Sequence, residues 1–309
     1  MENLFEKAKA VILGHAVADA LGVPVEFCSR EELDVNPVTS MREYGTYNMP
    51  KGSWSDDTSM SLCALEVMDK KLNFHNVMLN FCKWYYKGEF TPTGKTFDVG
   101  RTSATAIERY YLEPNREVFG VNSERANGNG ALMRIHPFSL YAYKSNLSLS
   151  GKLEVIEIAT TLTHAHKRSI LASKIYSFVL WELLNNPSKE SVKIGLVKAK
   201  NHLKNQPELV HYNAIFEPDL LNTKREEIKS TGYVVDSLIA SLWCLLTTDS
   251  YKDCVLKAVN LGDDTDTIGA IAGGLAGGLY GLKSIPKEWL DSLLKKDYIE
   301  SLIEKAFSF

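Results

Sequence analysis

An all-α fold follows from three features of the sequence. Apolar residues recur at helical spacing along much of the chain, period-two alternation is hardly sustained anywhere, and no short strands return at regular intervals. With no Pro/Gly/Ser linker to divide it, the chain is expected to form one domain over residues 1–309, a compact orthogonal bundle of many helices.

The elements can be read in order. Near the start, Gly14, Ala18 and Gly22 recur every four residues. From about Ser59, the residues Met60, Cys63, Ala64, Val67 and Met68 fall at i, i+3, i+4, i+7 and i+8, one face of a helix. Lys83 to Lys87 interleave basic and aromatic side chains, a pattern also found on nucleic-acid-binding surfaces, but a half-buried helix edge fits better. Val155, Ile158, Ala159 and Leu162 repeat the helical spacing, as do Leu171, Ile175, Phe178 and Val179. Asn185–Ser188 and Gln206–Pro218 read as surface loops. Val234–Leu246 is apolar on nearly all sides, as a central helix would be. Last comes a stripe of Gly269, Gly273, Gly277 and Gly281. Each interior glycine costs a helix about 1 kcal/mol relative to alanine, so the stripe needs an offset, most simply close backbone contact with another helix. Both ends of the chain are therefore expected at the centre.

Composition narrows the partners. The chain has 35 basic and 38 acidic side chains, which gives no excess of positive charge to hold nucleic acid or an anionic membrane. The longest uncharged apolar stretch, 267–282, is too short for a span of roughly 20 residues and full of glycine. Five scattered cysteines, an odd number without a CxxC pair, read as small apolar groups in a reducing compartment. Glu2 and Glu6 stand where a secretory peptide needs basic residues. The expectation is a cytoplasmic monomer with no membrane or nucleic-acid partner.

Two acidic clusters carry the chemistry. One is Gly52-Ser53-Trp54-Ser55-Asp56-Asp57-Thr58, and the other is Gly262-Asp263-Asp264-Thr265-Asp266-Thr267. Each precedes a helix, so N-capping explains part of the composition. It does not explain the excess, because one cap needs one side chain. Like charges about 4 Å apart repel by about 4 kcal/mol at an effective dielectric near 20, so positive charge is missing. Carboxylates alternating with hydroxyls suit Mg²⁺ or Mn²⁺, whereas Zn²⁺ would call for His or Cys, and no glutamate completes an EF-hand loop after Asp264. A binuclear site built jointly by the two clusters is the sharper reading.

With these motifs in view, the chain resembles the ADP-ribosylglycohydrolases, including their bacterial dinitrogenase-reductase-activating branch. The resemblance runs through Gly14 with Asp19-Ala20-Leu21-Gly22 and Glu26, the two acidic clusters, Phe97-Asp98-Val99-Gly100, Asn127-Gly128-Asn129-Gly130 leading to Met133-Arg134, and Thr163-His164. It implies a single helical domain with two divalent cations, Mg²⁺ or Mn²⁺, in a central cleft, cleaving the C1″ bond between ADP-ribose and a modified side chain. The implied metal ligands are Ser55, Asp56, Asp57, Asp264, Asp266 and Thr267. Ser55 stands where the family usually has threonine, and Asp263 where many members have glycine.

Glu26, Asp57 and Asp98 are the implied catalytic carboxylates, and the division of base and acid between Glu26 and Asp98 stays open. Gly100, Asn127, Gly128, Asn129, Gly130, Met133, His164, Gly232 and Tyr233 are the implied substrate contacts. The Asn127–Gly130 run reads equally as a surface turn or as backbone amides approaching a diphosphate. His164 and His166, at i and i+2, do not share a helix face, and capping or hydrogen bonding suits them better than metal. Trp54 reads as core. The substrate is expected to be ADP-ribosyl-arginine in a protein. Serine, nucleobase or small guanidine linkages are alternatives, as is a non-catalytic ADP-ribose binder.

Overall fold

The computed structural model describes residues 4–69 and 72–308. Among them are fifteen α-helices, with six short 3₁₀ turns between some of them: α1 (Leu4–Gly22), α2 (Arg30–Val35), α3 (Asp56–Leu65), α4 (Phe74–Lys87), α5 (Arg101–Leu112), α6 (His136–Lys144), α7 (Leu149–Thr161), α8 (Lys167–Asn185), α9 (Lys189–Leu203), α10 (Asn213–Phe216), α11 (Val234–Leu246), α12 (Tyr251–Val259), α13 (Thr265–Tyr280), α14 (Lys287–Ser292) and α15 (Lys296–Phe307). The described residues form no strand, only isolated bridges such as Val121 with His164 and Gly128 with Tyr233. The all-α expectation is met.

At the centre α1 lies against α13 through the small-residue stripes. A Cβ on Gly277 would come within 2.1 Å of the Ala10 carbonyl oxygen, and one on Gly273 within 2.5 Å of the Gly14 carbonyl oxygen. Backbone meets backbone here, and that packing offsets the lost helix propensity. Gly278, the next residue, faces only side chains, Leu180 at 3.4 Å and Val11 at 3.5 Å. Gly277→Ala is therefore expected to destabilise the fold by about 3 kcal/mol, whereas Gly278→Ala should be neutral or stabilising by up to about 1 kcal/mol. Urea denaturation of the two variants checks this, and equal losses would remove the contact explanation. Gly281 leaves the expected stripe, because α13 stops at Tyr280 and Gly281 caps it at φ +78°.

Leu4–Val25 is long and apolar enough to cross a membrane by composition alone, yet 89% of its most apolar window is buried inside the fold. It serves as the core helix. Tyr251 on α12 donates its hydroxyl to the Gly14 carbonyl at 2.6 Å, tying a third helix to the pair. One apolar core, including Leu13, Phe81, Phe138, Leu238 and Ile268, surrounds them.

Three boundaries differ from the sequence reading. α3 begins at Asp56, three residues before Ser59, so Asp56 and Asp57 lie in its first turn. It ends at Leu65, because Val67 and Met68 donate to Ala64 and Leu65 in tight i→i+3 turns that carry the apolar face on without the helix. Gln206–Pro218 is not a simple loop. It holds the short turn Pro207–Tyr212 and α10, with Leu209, Tyr212 and Ile215 buried beneath them. Local helical pieces that bury one apolar side chain per turn leave no long periodic signal.

Candidate active site

The cleft is built where α1, α3 and α13 meet. Asp19, fully buried on α1, accepts hydrogen bonds from the Ser55 amide at 2.9 Å, the Thr58 amide at 3.1 Å and the Thr58 hydroxyl at 2.6 Å. It thereby pins the first turn of α3 to α1. Ser55 is the N-cap of α3, its hydroxyl accepting from the Asp57 amide. That arrangement turns Asp57 toward α13, where Thr267 donates its hydroxyl to Asp57 at 3.3 Å. Asp266 accepts from the Thr267 amide at 2.8 Å, and Asp264 accepts from the Asn129 side-chain amide at 2.7 Å.

Two groups of oxygens result. Asp19, Asp57 and Asp266 each bring a carboxylate oxygen within 4.8 Å of the others, and Glu26, Asp264 and Asp266 do the same. The clusters that lie some two hundred positions apart in sequence thus converge, with Asp266 common to both groups. Of the three acids in the second cluster, Asp263 turns outward to solvent. Its φ of +59° explains why a glycine would suit that position.

The electrostatics leave a deficit. Burial, followed by neighbouring carboxylates, pushes Asp56, Asp57 and Asp266 well above the usual carboxylate range. Burial likewise moves Asp19 up to about 7, against the hydrogen bonds from Thr58 and Ser55 that lower it. Among the described residues no Lys, Arg or His forms an ion pair with any of these acids. One oxygen each of Glu26, Asp57 and Asp266 is buried without a hydrogen-bond partner. The N-termini of α3 and α13 face the cluster, but a helix dipole contributes about 0.3–1 kcal/mol, too little against repulsions of several kcal/mol. Orphaned hard oxygens with no counter-charge fit a divalent cation.

Glu26 and Asp98 line the same cleft, and the Asp98 charge bears on Glu26. Burial, then the Asp98 charge, then Asp264, raises Glu26 to about 9. Asp98 sits just before α5 at φ +52°. Tyr47 sets its phenol against both carboxylates, and its ring packs on Phe97 at 5.0 Å. Sequence reasoning missed Tyr47, since a tyrosine in a single 3₁₀ turn carries no spacing signal.

The remaining wall is glycine-rich. A cleft of about 220 Å³ is lined by Glu26, Asp56, Asp98, Asp264 and Thr267 on the acidic side, and by Gly100, Gly128, Asn129, Gly130, Met133, His164 and Gly232 on the other. Arg101, Thr102 and Ser103 also line it and were not anticipated. The Asn129 amide donates to the Gly232 carbonyl at 3.0 Å, which holds the two glycine segments together. A Cβ on Gly130 would come within 3.0 Å of the His164 ring, and one on Gly232 within 3.1 Å of an Asp264 oxygen.

Two expected contacts do not reach this cleft. Asn127 is buried and spends its side chain on the Glu124 carbonyl and the Ser169 hydroxyl. Tyr233 packs its ring 5.9 Å from the Arg168 guanidinium instead, and its backbone bridges Gly128. In each case the backbone shapes the wall and the side chain points elsewhere. Ser55 is buried, and its hydroxyl accepts from the Asp57 amide as the cap of α3. Trp54 is core, as expected, donating to the Leu294 carbonyl, and His166 caps α8.

A buried all-oxygen acidic cluster at the meeting of helix N-termini, faced by glycine loops, defines an all-helical hydrolase centre of cation-binding type. The chain belongs to the ADP-ribosylglycohydrolase family, whose profile it matches over residues 1–308. It is 34% identical over 304 residues to the ADP-ribosylarginine hydrolase Tri1 of Serratia proteamaculans, covering 98% of this chain and 79% of that one. It is 30% identical to the ADP-ribosyl-[dinitrogen reductase] glycohydrolase of Rhodospirillum rubrum, covering 94% and 91%. Among solved structures, an ADP-ribosylglycohydrolase-related protein complex superposes with a TM-score of 0.83 at 27% identity, covering 100% of this chain and 99% of that one.

Proposed function

We propose that this chain removes ADP-ribose from arginine side chains by hydrolysing the bond at C1″, with two Mg²⁺ or Mn²⁺ ions held by Asp56, Asp57, Asp264, Asp266 and Thr267. The observation that carries the reading is the convergence of both acidic clusters on one buried, uncompensated set of oxygens beside Glu26 and Asp98. The relatives named ADP-ribosylarginine hydrolase support the linkage. A bound pair of cations would orient the ribose hydroxyls and offset charge as the bond breaks.

The protein's own groups divide the remaining work. Carboxylates that flank a glycosidic bond from opposite sides stand about 5 Å or more apart. Glu26 and Asp98 line the same cleft, where the Asp98 charge acts on Glu26, and we assign both to one side of that bond. We place Asp98 at the leaving guanidine, which its charge would pair with, and Glu26 between Asp98 and the cations. Tyr47 orients the pair through its phenol. The glycine segments at Gly128–Gly130 and Gly232 take the diphosphate side, where backbone approach is closest.

A panel of arginine-, serine- and base-linked ADP-ribose substrates, assayed with Mg²⁺ and with Mn²⁺, tests the reading. Release from the arginine linkage at a rate at least about 100-fold above the others is expected, a difference of roughly 2.7 kcal/mol in barrier. Release from serine alone would overturn it. Asp98→Asn keeps the shape and removes the charge, and should lower kcat by about 100-fold or more in single-turnover assays.

A further inference from the structure

Arg134 is buried to zero exposure, and among the described residues no carboxylate forms an ion pair with it. Its guanidinium lies 4.9 Å from the Phe81 ring, donates to the Ala159 carbonyl at 3.1 Å and donates through Nη2 to the Thr163 hydroxyl at 2.8 Å. Thr163, equally buried, places the same hydroxyl 2.8 Å from Nδ1 of His164. His164 lines the cleft, and its Nε2 lies 3.5 Å from where a Cβ on Gly130 would stand and 3.8 Å from one on Gly128. Nothing in the proposed reaction uses Arg134 or Thr163.

Counting protons gives the chain a direction. A guanidinium has no acceptor, so Arg134 can only donate to Thr163. The hydroxyl then has one proton of its own, and His164 Nδ1 is the acceptor within reach. The reverse arrangement, with Nδ1 protonated, would leave the buried hydroxyl proton unpaired, a cost that shifts the balance at least about tenfold. Burial, with Arg134 close by, holds His164 down at about 3, so the ring is neutral and carries a single proton.

We infer that Arg134 and Thr163 are positioning residues that lock His164 as its Nε2–H tautomer, making it a fixed hydrogen-bond donor to an oxygen of the bound ADP-ribosyl group. The ligand in this statement rests on the proposed function; the tautomer does not. Arg134, one hydroxyl removed from the imidazole, also polarises the ring toward donation.

The full chain with ¹⁵N-labelled histidine and Mg²⁺ present allows a direct test by long-range ¹H–¹⁵N correlation, with His164 assigned from a His164→Gln spectrum. Wild type should show Nδ1 unprotonated and Nε2 protonated. Thr163→Val removes the hydroxyl at constant shape; it should lose the single tautomer and weaken ADP-ribose binding about tenfold by calorimetry, and Thr163→Ser should restore both. An Nδ1–H wild type overturns the relay whatever the protein binds, as does a Thr163→Val protein with unchanged tautomer and affinity. A wild type with the Nε2–H tautomer that binds no ADP-ribose would instead overturn the functional reading and the ligand named here.

Discussion

Asp266→Asn is expected to cut hydrolysis at least about a thousandfold, roughly 4 kcal/mol in barrier. The size follows from position. Asp266 is the one carboxylate common to both oxygen groups, and its free oxygen is among the buried atoms without a partner. Replacing it therefore weakens both cation positions together, whereas Asp56 or Asp264 serves fewer contacts. The amide keeps an oxygen to accept from the Thr267 amide, so the first turn of α13 should hold. Calorimetric titration with Mn²⁺ separates a lost site from a lost fold. The variant should fold with an unchanged circular dichroism spectrum and titrate at least one cation fewer than wild type. Retention of full activity would remove the paired-cation reading of this cleft.

Much of this was legible because the acidic clusters sit at helix N-termini, where the caps, the excess charge and the missing His or Cys are all local sequence features. The glycine stripe was legible for a similar reason: its energetic cost demands a partner, and Gly14 and Gly273 meet as backbone. What hid was anything whose role depends on distant geometry. Asp19 is a solitary acid in the apolar run from Ala10 to Leu21, a signal that it must be paired, but only the fold shows that Ser55 and Thr58 supply the bonds. Arg101 and Ser103 reach the cleft from the start of α5, and Tyr47 lies beside its carboxylates at the end of a single 3₁₀ turn, none with a periodicity of its own. Asn127 and Tyr233 differ in the opposite direction. Both lie in the right segments, but a sequence motif gives the path of a backbone and not the side its side chains take, so each ended outside the cleft.

Magnesium should stabilise this protein more strongly as pH rises, and the reason lies in how the buried acids titrate. Burial raises Asp19 from 3.8 to about 7 and Glu26 from 4.5 to about 9 in the folded chain without cations. The folded state thus binds protons that the unfolded state has already released, and stability from these groups is lost as pH climbs from about 4 through those raised values. A cation needs the same oxygens deprotonated. At about pH 6 it must displace protons from the cluster, and at about pH 8.5 it meets fewer of them and relieves the repulsion among the acids that have ionised. Saturating Mg²⁺ should consequently raise Tm by roughly 5 °C more at the higher pH than at the lower. Comparing the two rises, and not the Tm values themselves, cancels the pH response of every group far from the cleft. Differential scanning calorimetry of chelator-treated protein with and without Mg²⁺ makes the measurement. An equal rise at both pH values, or a larger one at the lower, would mean that the buried carboxylates are not where the cation binds.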